Sequence, residues 1–306
     1  MSYHAPVMVR EVLAYLKPEQ GGVYFDGTLG GGGHSEAILS ASDGVRLIGV
    51  DQDTEAHDVA GRRLERFGDR VHLVHASFAA VAEELASPLA GALLDLGVSS
   101  HQIDEAARGF SFRPGTPLDM RMYPADARPT AAELLNELSE RELADLFYRY
   151  GEERRSRALA RAIVGRRKAA PFHSSDDLNA VLDAVLGRGR SLEPAGRARL
   201  YQALRIAVNE ELSELERALP ALRDALRPAG VLVVLAYHSL EDRLVKDSFR
   251  EWSRSCVCPP ELPVCRCRGV PLGELLTRKP AMASAAEVAE NPRARSARLR
   301  AWRKAA

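Results

Sequence analysis

The chain has 306 residues, of which 46% are hydrophobic and 27% are charged. This balance is that of an ordinary globular protein that can bury a real core, with one large domain or two modest ones. No run of about 18 apolar residues occurs, and no signal peptide is evident at the N-terminus. We therefore expect a cytoplasmic protein without a membrane span.

The charges are balanced overall but unevenly distributed. Lys plus Arg number 42, and so do Asp plus Glu, so net charge says nothing about a partner. Residues 149–173 carry eight basic and two acidic side chains, and residues 268–306 carry nine and three, which gives +6 in each segment. Two basic zones on a neutral chain indicate a polyanion-binding surface of limited size, although solvated helix faces would give the same pattern.

The first third of the chain alternates short apolar runs with helical patterns. Strands separated by helices predict parallel βαβ units. The predicted strands cover residues 23–26, 46–51, 71–75 and 91–95, and the predicted helices cover residues 34–41, 53–67 and 78–86.

The alternation stops after residue 125. Residues 126–200 show only helical periodicity, which predicts an all-helical insertion. The α/β pattern then resumes with a long amphipathic helix, two further strands and one more helix. Their predicted ranges are 202–226 for the long helix, 231–236 and 296–304 for the strands, and 239–252 for the last helix. The pattern therefore predicts one α/β domain, formed by residues 1–125 and 201–306 and interrupted once by the helical insertion.

A glycine-rich segment follows the first predicted strand. It reads Asp-Gly-Thr-Leu-Gly-Gly-Gly-Gly-His from Asp26 to His34, and a helix follows, which is the context of a nucleotide-binding loop. Asp51 ends the next strand, where a carboxylate can accept hydrogen bonds from both ribose hydroxyls. Contiguous glycines and an acid ending the first strand suit the cationic S-adenosylmethionine better than a pyrophosphate, which Asp26 would repel. A flexible turn is the alternative explanation of the glycines.

Three predicted strands end in an acid. Asp26, Asp51 and Asp95 hold these positions, and Asp95 opens the segment Asp-Leu-Gly-Val-Ser-Ser. Because ligands of open parallel sheets bind at the carboxyl ends of the strands, we expect all three carboxylates to point into one crevice.

Eight segments resemble those of the bacterial 16S rRNA cytosine-N4 methyltransferases. The resemblance runs from residue 4 to about residue 300, and it implies a Rossmann-like class I methyltransferase domain with a helical substrate-recognition insertion. It also implies methyl transfer from S-adenosylmethionine to N4 of a cytidine in the decoding region of 16S rRNA. The segments are HAPV at 4–7, DGTLGGGGH at 26–34, DLGVSS at 95–100, RGFSF at 108–112, LDMRM at 118–122, YGEER at 150–154, YHSLEDR at 237–243 and ENPRARS at 290–296.

The resemblance also implies a set of cofactor contacts. Phe78 would lie beside the adenine and Asp51 at the ribose. Phe78, His34 and Gln102 rest on the resemblance alone, and a core Phe, a helix-starting His and a surface Gln are the alternatives. The full implied set is Gly32, Gly33, His34, Asp51, Phe78, Asp95 and Gln102.

The chemistry requires a group that accepts a hydrogen bond from cytosine N4. N4 is a poor nucleophile, since its lone pair is delocalised into the ring, and an acceptor helps it gain sp3 character. Asp95 is the first candidate, with Ser99 in the same segment, and His238 and Asp242 after the fifth strand come second. The segment lacks the Pro-Pro-aromatic tetrapeptide of many amino methyltransferases, so the acceptor stays open at this point.

The expected partner is 16S rRNA within the small ribosomal subunit. Stacking aromatics and phosphate-binding arginines are typical of RNA contacts. Arg108 and Phe112 suit a loop over the substrate, although a connector with a small core of its own is the alternative, and Arg154, Arg155 and Arg295 suit phosphate contacts. DNA or a protein side chain as substrate, and a non-catalytic RNA-binding role, are the competing hypotheses. Monomer and homodimer both stay open.

All four cysteines lie within twelve residues. Cys256 and Cys258 form one C-x-C pair, and Cys265 and Cys267 form another after a six-residue, turn-rich gap. Two such pairs folded together would give a structural zinc site with four thiolate ligands. Reduced thiols in a loop, or disulfides, are the alternatives.

Overall fold

The computed structural model describes residues 6–85, 88–99, 102–103, 105–125, 127–187, 192–259, 264 and 266–306. Eight strands in these residues form one sheet, in the order β3-β2-β1-β4-β5-β8-β6, with β7 pairing β8 at its side. The strands are β1 Gly22–Asp26, β2 Val45–Asp51, β3 Val71–His75, β4 Leu89–Asp95, β5 Leu226–Ala236, β6 Gly273–Leu275, β7 Ala281–Met282 and β8 Arg298–Lys304.

The helices of the described residues begin mostly at side-chain caps. The Asp53 carboxylate accepts from the Glu55 N–H, and Thr130 and Ser139 open capping boxes with the glutamates three residues later. No helix in these residues is both long and apolar enough to cross a membrane. The helices are α1 Val9–Leu16, α2 Gly33–Ser40, α3 Thr54–Leu64, α4 Phe78–Glu83, α5 Ala131–Glu137, α6 Glu140–Arg149, α7 Ser156–Arg167, α8 Ser175–Leu186, α9 Pro194–Asn209, α10 Glu211–Ala225, α11 Ser239–Trp252 and α12 Ala285–Glu290.

The first five strands are parallel, and β8 runs antiparallel between β5 and β6. This confirms the predicted Rossmann-like α/β fold. The strand order reverses between β1 and β4, where two neighbouring parallel strands send their connections in opposite directions. Ligands of open α/β sheets bind at such a switch point, outside the carboxyl ends of the strands. Asp26 and Asp95 end these two strands, so the fold itself points to this edge as the site.

The sheet is covered on both faces, which explains the continuous apolar run of β5. Val231, Val233 and Leu235 join a cluster that includes residues of α1 and α2. Leu232 and Val234 point the other way, into a cluster with α4, α10 and α11. Because successive strand residues face opposite sides, a strand buried on both faces must be apolar throughout. β6 and β7, at three and two residues, are too short to give such a pattern.

The chain divides into two compact units. One comprises the chain up to Gly97 and from Leu212 onward, and the other comprises Val98–Glu211. The second unit, here called the helical unit, has its own core, built from α5 to α9 and including Leu118 and Met120. It extends past the predicted insertion at both ends, since Phe110, Phe112, Leu118 and Met120 pack into this core ahead of it and α9 continues to Asn209.

The predicted helix over residues 202–226 is wrong in one respect. Two helices, α9 and α10, occupy this region, and Glu210 between them has a φ of 53°, in the left-handed region. The amphipathic periodicity continues across the break, so the pattern alone does not reveal it.

Candidate active site

The glycine-rich loop joins β1 to α2 at the switch point. A Cβ on Gly27 would lie 2.6 Å from Leu94 Cδ2 and 3.0 Å from Phe78 Cβ, and Gly32 has a φ of +77°. The Gly30 N–H donates to the Asp51 carboxylate at 2.8 Å, and its own Cβ position is open. Side chains are therefore excluded from the loop by packing or by backbone conformation, which leaves its backbone accessible to a ligand.

Asp51 ends β2 and is held by two backbone donors. Oδ2 accepts from Gly30 and Oδ1 accepts from the Asp53 N–H at 2.9 Å. Burial raises the pKa of Asp51 to about 6, even though both hydrogen bonds act to lower it. A carboxylate has about four acceptor positions, so Asp51 can still accept hydrogen bonds from ribose hydroxyls.

Asp26 has a different role from the one its strand-end position suggests. It is 1% exposed, and its two oxygens accept from the Ser35 hydroxyl at 2.6 Å and the Thr28 N–H at 3.2 Å. Burial raises its pKa, and these hydrogen bonds act against the rise. The Asp26 carboxylate therefore braces the loop against α2, and the expectation that it points into an open crevice is wrong.

Asp95 lies at the centre of a polar cluster at the end of β4. Its Oδ1 accepts from the Tyr237 hydroxyl at 2.8 Å, and its Oδ2 lies 3.6 Å from His34 Nδ1. The other ring nitrogen of His34, Nε2, lies 2.8 Å from the Val7 carbonyl. The Asp95 N–H donates to Thr28 Oγ1, which ties β4 to the glycine-rich loop. Burial raises the pKa of Asp95, while His34 and Tyr237 act to lower it.

Phe78 begins α4, after the end of β3, and Ser77 caps this helix. The ring packs partly buried against the sheet, and its Cβ lies close to Gly27. This places Phe78 beside the loop, as an adenine-contacting residue would require.

Ser99 and Gln102 belong to the helical unit. They bond reciprocally: the Ser99 N–H donates to Gln102 Oε1 at 2.9 Å, and the Gln102 N–H donates to Ser99 Oγ at 3.2 Å. This is the geometry of a helix-capping box. Both side chains thus organise the segment after β4 locally, and Gln102 is buried.

The second-choice catalytic residues have structural partners. His238 caps α11, where its Nδ1 accepts from the Glu241 N–H and its Nε2 lies 3.0 Å from Glu241 Oε1. Asp242 pairs with Arg300 at 2.7 Å and with Arg298 at 3.3 Å. Burial acts to raise the pKa of Asp242, but these arginines on β8 outweigh it and lower the pKa. These contacts favour an anchoring role for both residues.

The predicted RNA contacts separate into two groups. Arg108 is only 7% exposed and donates to the Met122 carbonyl, and Phe112 packs against Tyr201 in the helical core. Phosphate contact by Arg108 and base stacking by Phe112 do not fit these positions, and the alternative of a connector with its own core does. Arg154, Arg155 and Arg295 are exposed.

Three of the four cysteines lie among the described residues, and Cys265 lies outside them. The Sγ atoms of Cys256, Cys258 and Cys267 all lie within 4.8 Å of one another, and no disulfide joins them. The Val257 N–H donates to Cys267 Sγ at 3.3 Å, and the Arg266 N–H donates to Cys258 Sγ at 3.4 Å. The middle residue of each C-x-C pair thus donates to the second cysteine of the other pair.

Sequence reasoning missed Tyr237 as a site residue. It follows β5 directly and so holds the same strand-end position that singled out the acids. Applying the strand-end rule to all polar side chains, and not only to carboxylates, would have found it.

Known proteins resemble the chain over nearly its whole length. The profile of the MraW methylase family matches residues 1–305. A protein of Gemmatimonas aurantiaca named ribosomal RNA small subunit methyltransferase H is 53% identical, over 99% of this chain and 96% of its own. A protein of the same name from Heliobacterium modesticaldum is 50% identical, over 99% of this chain and 98% of its own. A solved structure of an rRNA methylase from Streptococcus thermophilus covers 97% of this chain and 96% of its own, at 8% identity and a TM-score of 0.43. The chain is a member of the MraW methylase family.

Proposed function

We propose that this enzyme transfers a methyl group from S-adenosylmethionine to N4 of a cytidine in the decoding region of 16S rRNA. The observation that carries the proposal is the switch-point geometry, with a glycine-rich loop, the Asp51 carboxylate and the Asp95 cluster around one edge of the sheet. Family membership and the names of relatives at about half identity support a substrate in small-subunit rRNA.

The residues at this edge fit S-adenosylmethionine. The loop backbone at Gly32 and Gly33 would lie against the methionine part, Asp51 would bind the ribose hydroxyls, and Phe78 would contact the adenine. His34 would contribute through its backbone, since both of its ring nitrogens face protein groups. The Asp95 carboxylate adds negative charge near a cationic sulfonium. Gln102 completes the set that the family resemblance implies.

Asp95 accepts the N4 hydrogen bond in this proposal. The cofactor supplies an already activated methyl group, so the task of the protein is to align N4 and keep the pocket dry. An ionised Asp95 has acceptor positions beyond those facing Tyr237 and His34, and it can take up the proton that leaves N4. Ser99, which bonds to Gln102, would position this segment, and His238 would hold α11.

Exposed arginines of the helical unit supply the phosphate contacts in this proposal. Arg154 and Arg155 lie immediately before α7, and Arg157 and Arg161 lie on it; all four are exposed. Arg295 would add a further contact. Phosphate binding of this kind gives affinity and salt dependence without sequence specificity. Arg108 and Phe112 would support the RNA-facing segment from inside.

The decisive experiment supplies labelled S-adenosylmethionine with separate pools of naked 16S rRNA, small ribosomal subunits, DNA and protein. We expect label in RNA, recovered as N4-methylcytidine after digestion, and the two RNA pools decide whether assembly is required. Label in DNA or protein alone would contradict the proposal.

Calorimetry with S-adenosylmethionine tests the non-catalytic alternative, which predicts no binding. We expect the reaction in the cytoplasm, and the mass in solution distinguishes monomer from homodimer.

We also propose that the cysteines hold a structural zinc ion. Three sulfur atoms converge, and backbone N–H groups donate to two of them, as they do around thiolates that ligate a metal. Cys265 would be the fourth ligand, and four thiolates leave no position open for catalysis.

Metal analysis of the purified protein tests the zinc site. We expect about one zinc per chain in the wild type. Cys258→Ser should lose the zinc, whereas Ser255→Ala should retain it, because Ser255 is a neighbouring residue that offers no thiolate. A wild-type protein without zinc, or cysteines recovered as disulfides under reducing preparation, would contradict the site.

A further inference from the structure

Tyr237 is held by hydrogen bonds at its backbone N–H and at its hydroxyl. It follows β5, which pairs with β4 so that Asp95 lies opposite Leu235. The Tyr237 N–H donates to Glu241 Oε2 at 2.9 Å, and the hydroxyl donates to Asp95 Oδ1 at 2.8 Å. Burial, together with nearby acids, raises the pKa of Tyr237, so the hydroxyl keeps its proton and acts as the donor.

His34 faces the other oxygen of Asp95 in a defined tautomer. A carbonyl oxygen only accepts, so His34 Nε2 must carry the hydrogen that reaches the Val7 carbonyl. His34 Nδ1 then presents either a lone pair or, in the charged ring, a second N–H. A lone pair would face the Asp95 carboxylate at 3.6 Å unfavourably. A second N–H, on His34 Nδ1, would relieve this repulsion and leave Asp95 Oδ2 ionised.

Other carboxylates in the described part of the chain act against the ionised form of Asp95. Asp26 and Glu241 both act to raise the pKa of Asp95, and Glu287 faces Tyr237. Among the described residues, the Tyr237 hydroxyl and His34 act to stabilise the ionised carboxylate. Removing the hydroxyl would therefore leave Asp95 protonated up to a higher pH.

We propose that Tyr237 is a positioning residue, which fixes Asp95 through Oδ1 and keeps it ionised, so that Oδ2 beside His34 can receive the proton of cytosine N4. This inference rests on the proposed function. In the step, the N4–methyl bond forms as the sulfur–methyl bond breaks, with its electron pair left on sulfur. The N4–H electron pair stays on nitrogen, and the proton moves to Asp95 Oδ2.

The test compares Tyr237→Phe with Tyr24→Phe. Tyr24 is also buried in the sheet, but its hydroxyl donates to backbone carbonyls of Leu16 and Lys17, away from Asp95. We expect Tyr237→Phe to shift the acid limb of the kcat–pH profile upward by about one pH unit, with KM for S-adenosylmethionine within about twofold. Tyr24→Phe should leave the limb in place. An unmoved limb in Tyr237→Phe would overturn the inference.

A second measurement needs no methyl transfer. The stability lost in Tyr237→Phe, measured by urea unfolding, should grow from pH 5 to pH 8, because the hydroxyl stabilises the ionised form of Asp95 more than the protonated form. This increase in lost stability with pH should be absent when Tyr237→Phe is made in the Asp95→Asn background, as a double-mutant cycle requires. A loss independent of pH would overturn the inference even if RNA is methylated. A wild type that labels no RNA would instead refute the proposed function, and the unfolding data would still decide the role of Tyr237.

Discussion

The other unit, here called the sheet unit, comprises the chain up to Gly97 and from Leu212 onward, and it uses its polar side chains in the opposite way to the helical unit. At the switch point, Asp51 and Asp95 are each held by specific donors, and burial raises the pKa of both. Beside and along α7, Arg154, Arg155 and Arg157 are exposed to solvent. Buried groups at fixed distances can direct one reaction, whereas exposed charges attract a polyanion collectively. Single substitutions should therefore have large effects in the first region and graded effects in the second.

The largest effect should come from Asp95→Asn. Asparagine keeps an acceptor for the Tyr237 hydroxyl but cannot take up the N4 proton, so kcat should fall about 100-fold or more. Turnover assays together with circular dichroism measure this, and the fold should be retained. Asp43→Asn, at a fully exposed acid, is the control. A kcat near that of the wild type would remove Asp95 from the chemistry.

The next largest effect should be the pH dependence that Asp51 gives to the binding of S-adenosylmethionine. Ribose hydroxyls favour its ionised form, so affinity for S-adenosylmethionine should be full above pH 6 and fall by up to about tenfold per unit below it. Asp51→Asn should bind S-adenosylmethionine more weakly and lose this pH dependence.

The folding stability of the ligand-free protein should change with pH in the opposite direction. The raised pKa of Asp51 contributes stability at low pH that is lost as pH rises through about 6. Calorimetry from pH 5 to 8 tests the affinity, and a flat wild-type curve would count against Asp51.

A graded effect should follow from reversing charges before α7. Arg154→Glu with Arg155→Glu should reduce the slope of log affinity against log salt by about 1.4, at about 0.7 per phosphate contact with single-stranded RNA. Arg10→Glu with Arg62→Glu reverses two exposed charges of the sheet unit and should leave the slope unchanged. Equal slopes in both double variants would argue against the α7 surface.

The smallest effect on RNA binding should come from Arg108→Met. Arg108 is buried and bonds to the Met122 carbonyl, so its loss should lower the free energy of unfolding by about 1.5–3 kcal/mol without changing the salt slope. Urea unfolding and RNA titration of the same variant measure the two quantities. Unchanged stability with a smaller slope would restore Arg108 as a phosphate contact.

Local signals predicted most of the sheet unit and its site. The β3 range and the helix α11 are confirmed with their predicted bounds, and α3 begins after Asp53, at the start of the predicted helix over residues 53–67. These features depend on periodicity and capping, which act within a few residues. The glycine-rich loop and the strand-end position of Asp95 follow from the same patterns.

Features that depend on distant contacts could not be predicted. The local sequence does not show whether the Arg108 guanidinium is exposed to solvent or bonded to the Met122 carbonyl. Its position depends on the tertiary packing around it. Asp26 was expected to face a ligand because its partner Ser35, nine residues on, was not considered. The start of the helical unit at Val98 depends on an irregular segment joining a helical core, which no periodicity marks.

The position of β8 has a consequence for folding during synthesis. β8 covers residues 298–304 yet pairs with both β5 and β6, and Trp302 within it is fully buried. The sheet therefore cannot be completed until this segment has been made, long after β1 to β4. The helical unit, built from contacts closer in sequence, can fold while β4 still waits for its partner β5. Until then the side of β4 that faces β5 is an unpaired, apolar edge, and edges of this kind are the ones at which an incomplete sheet can pair with another chain.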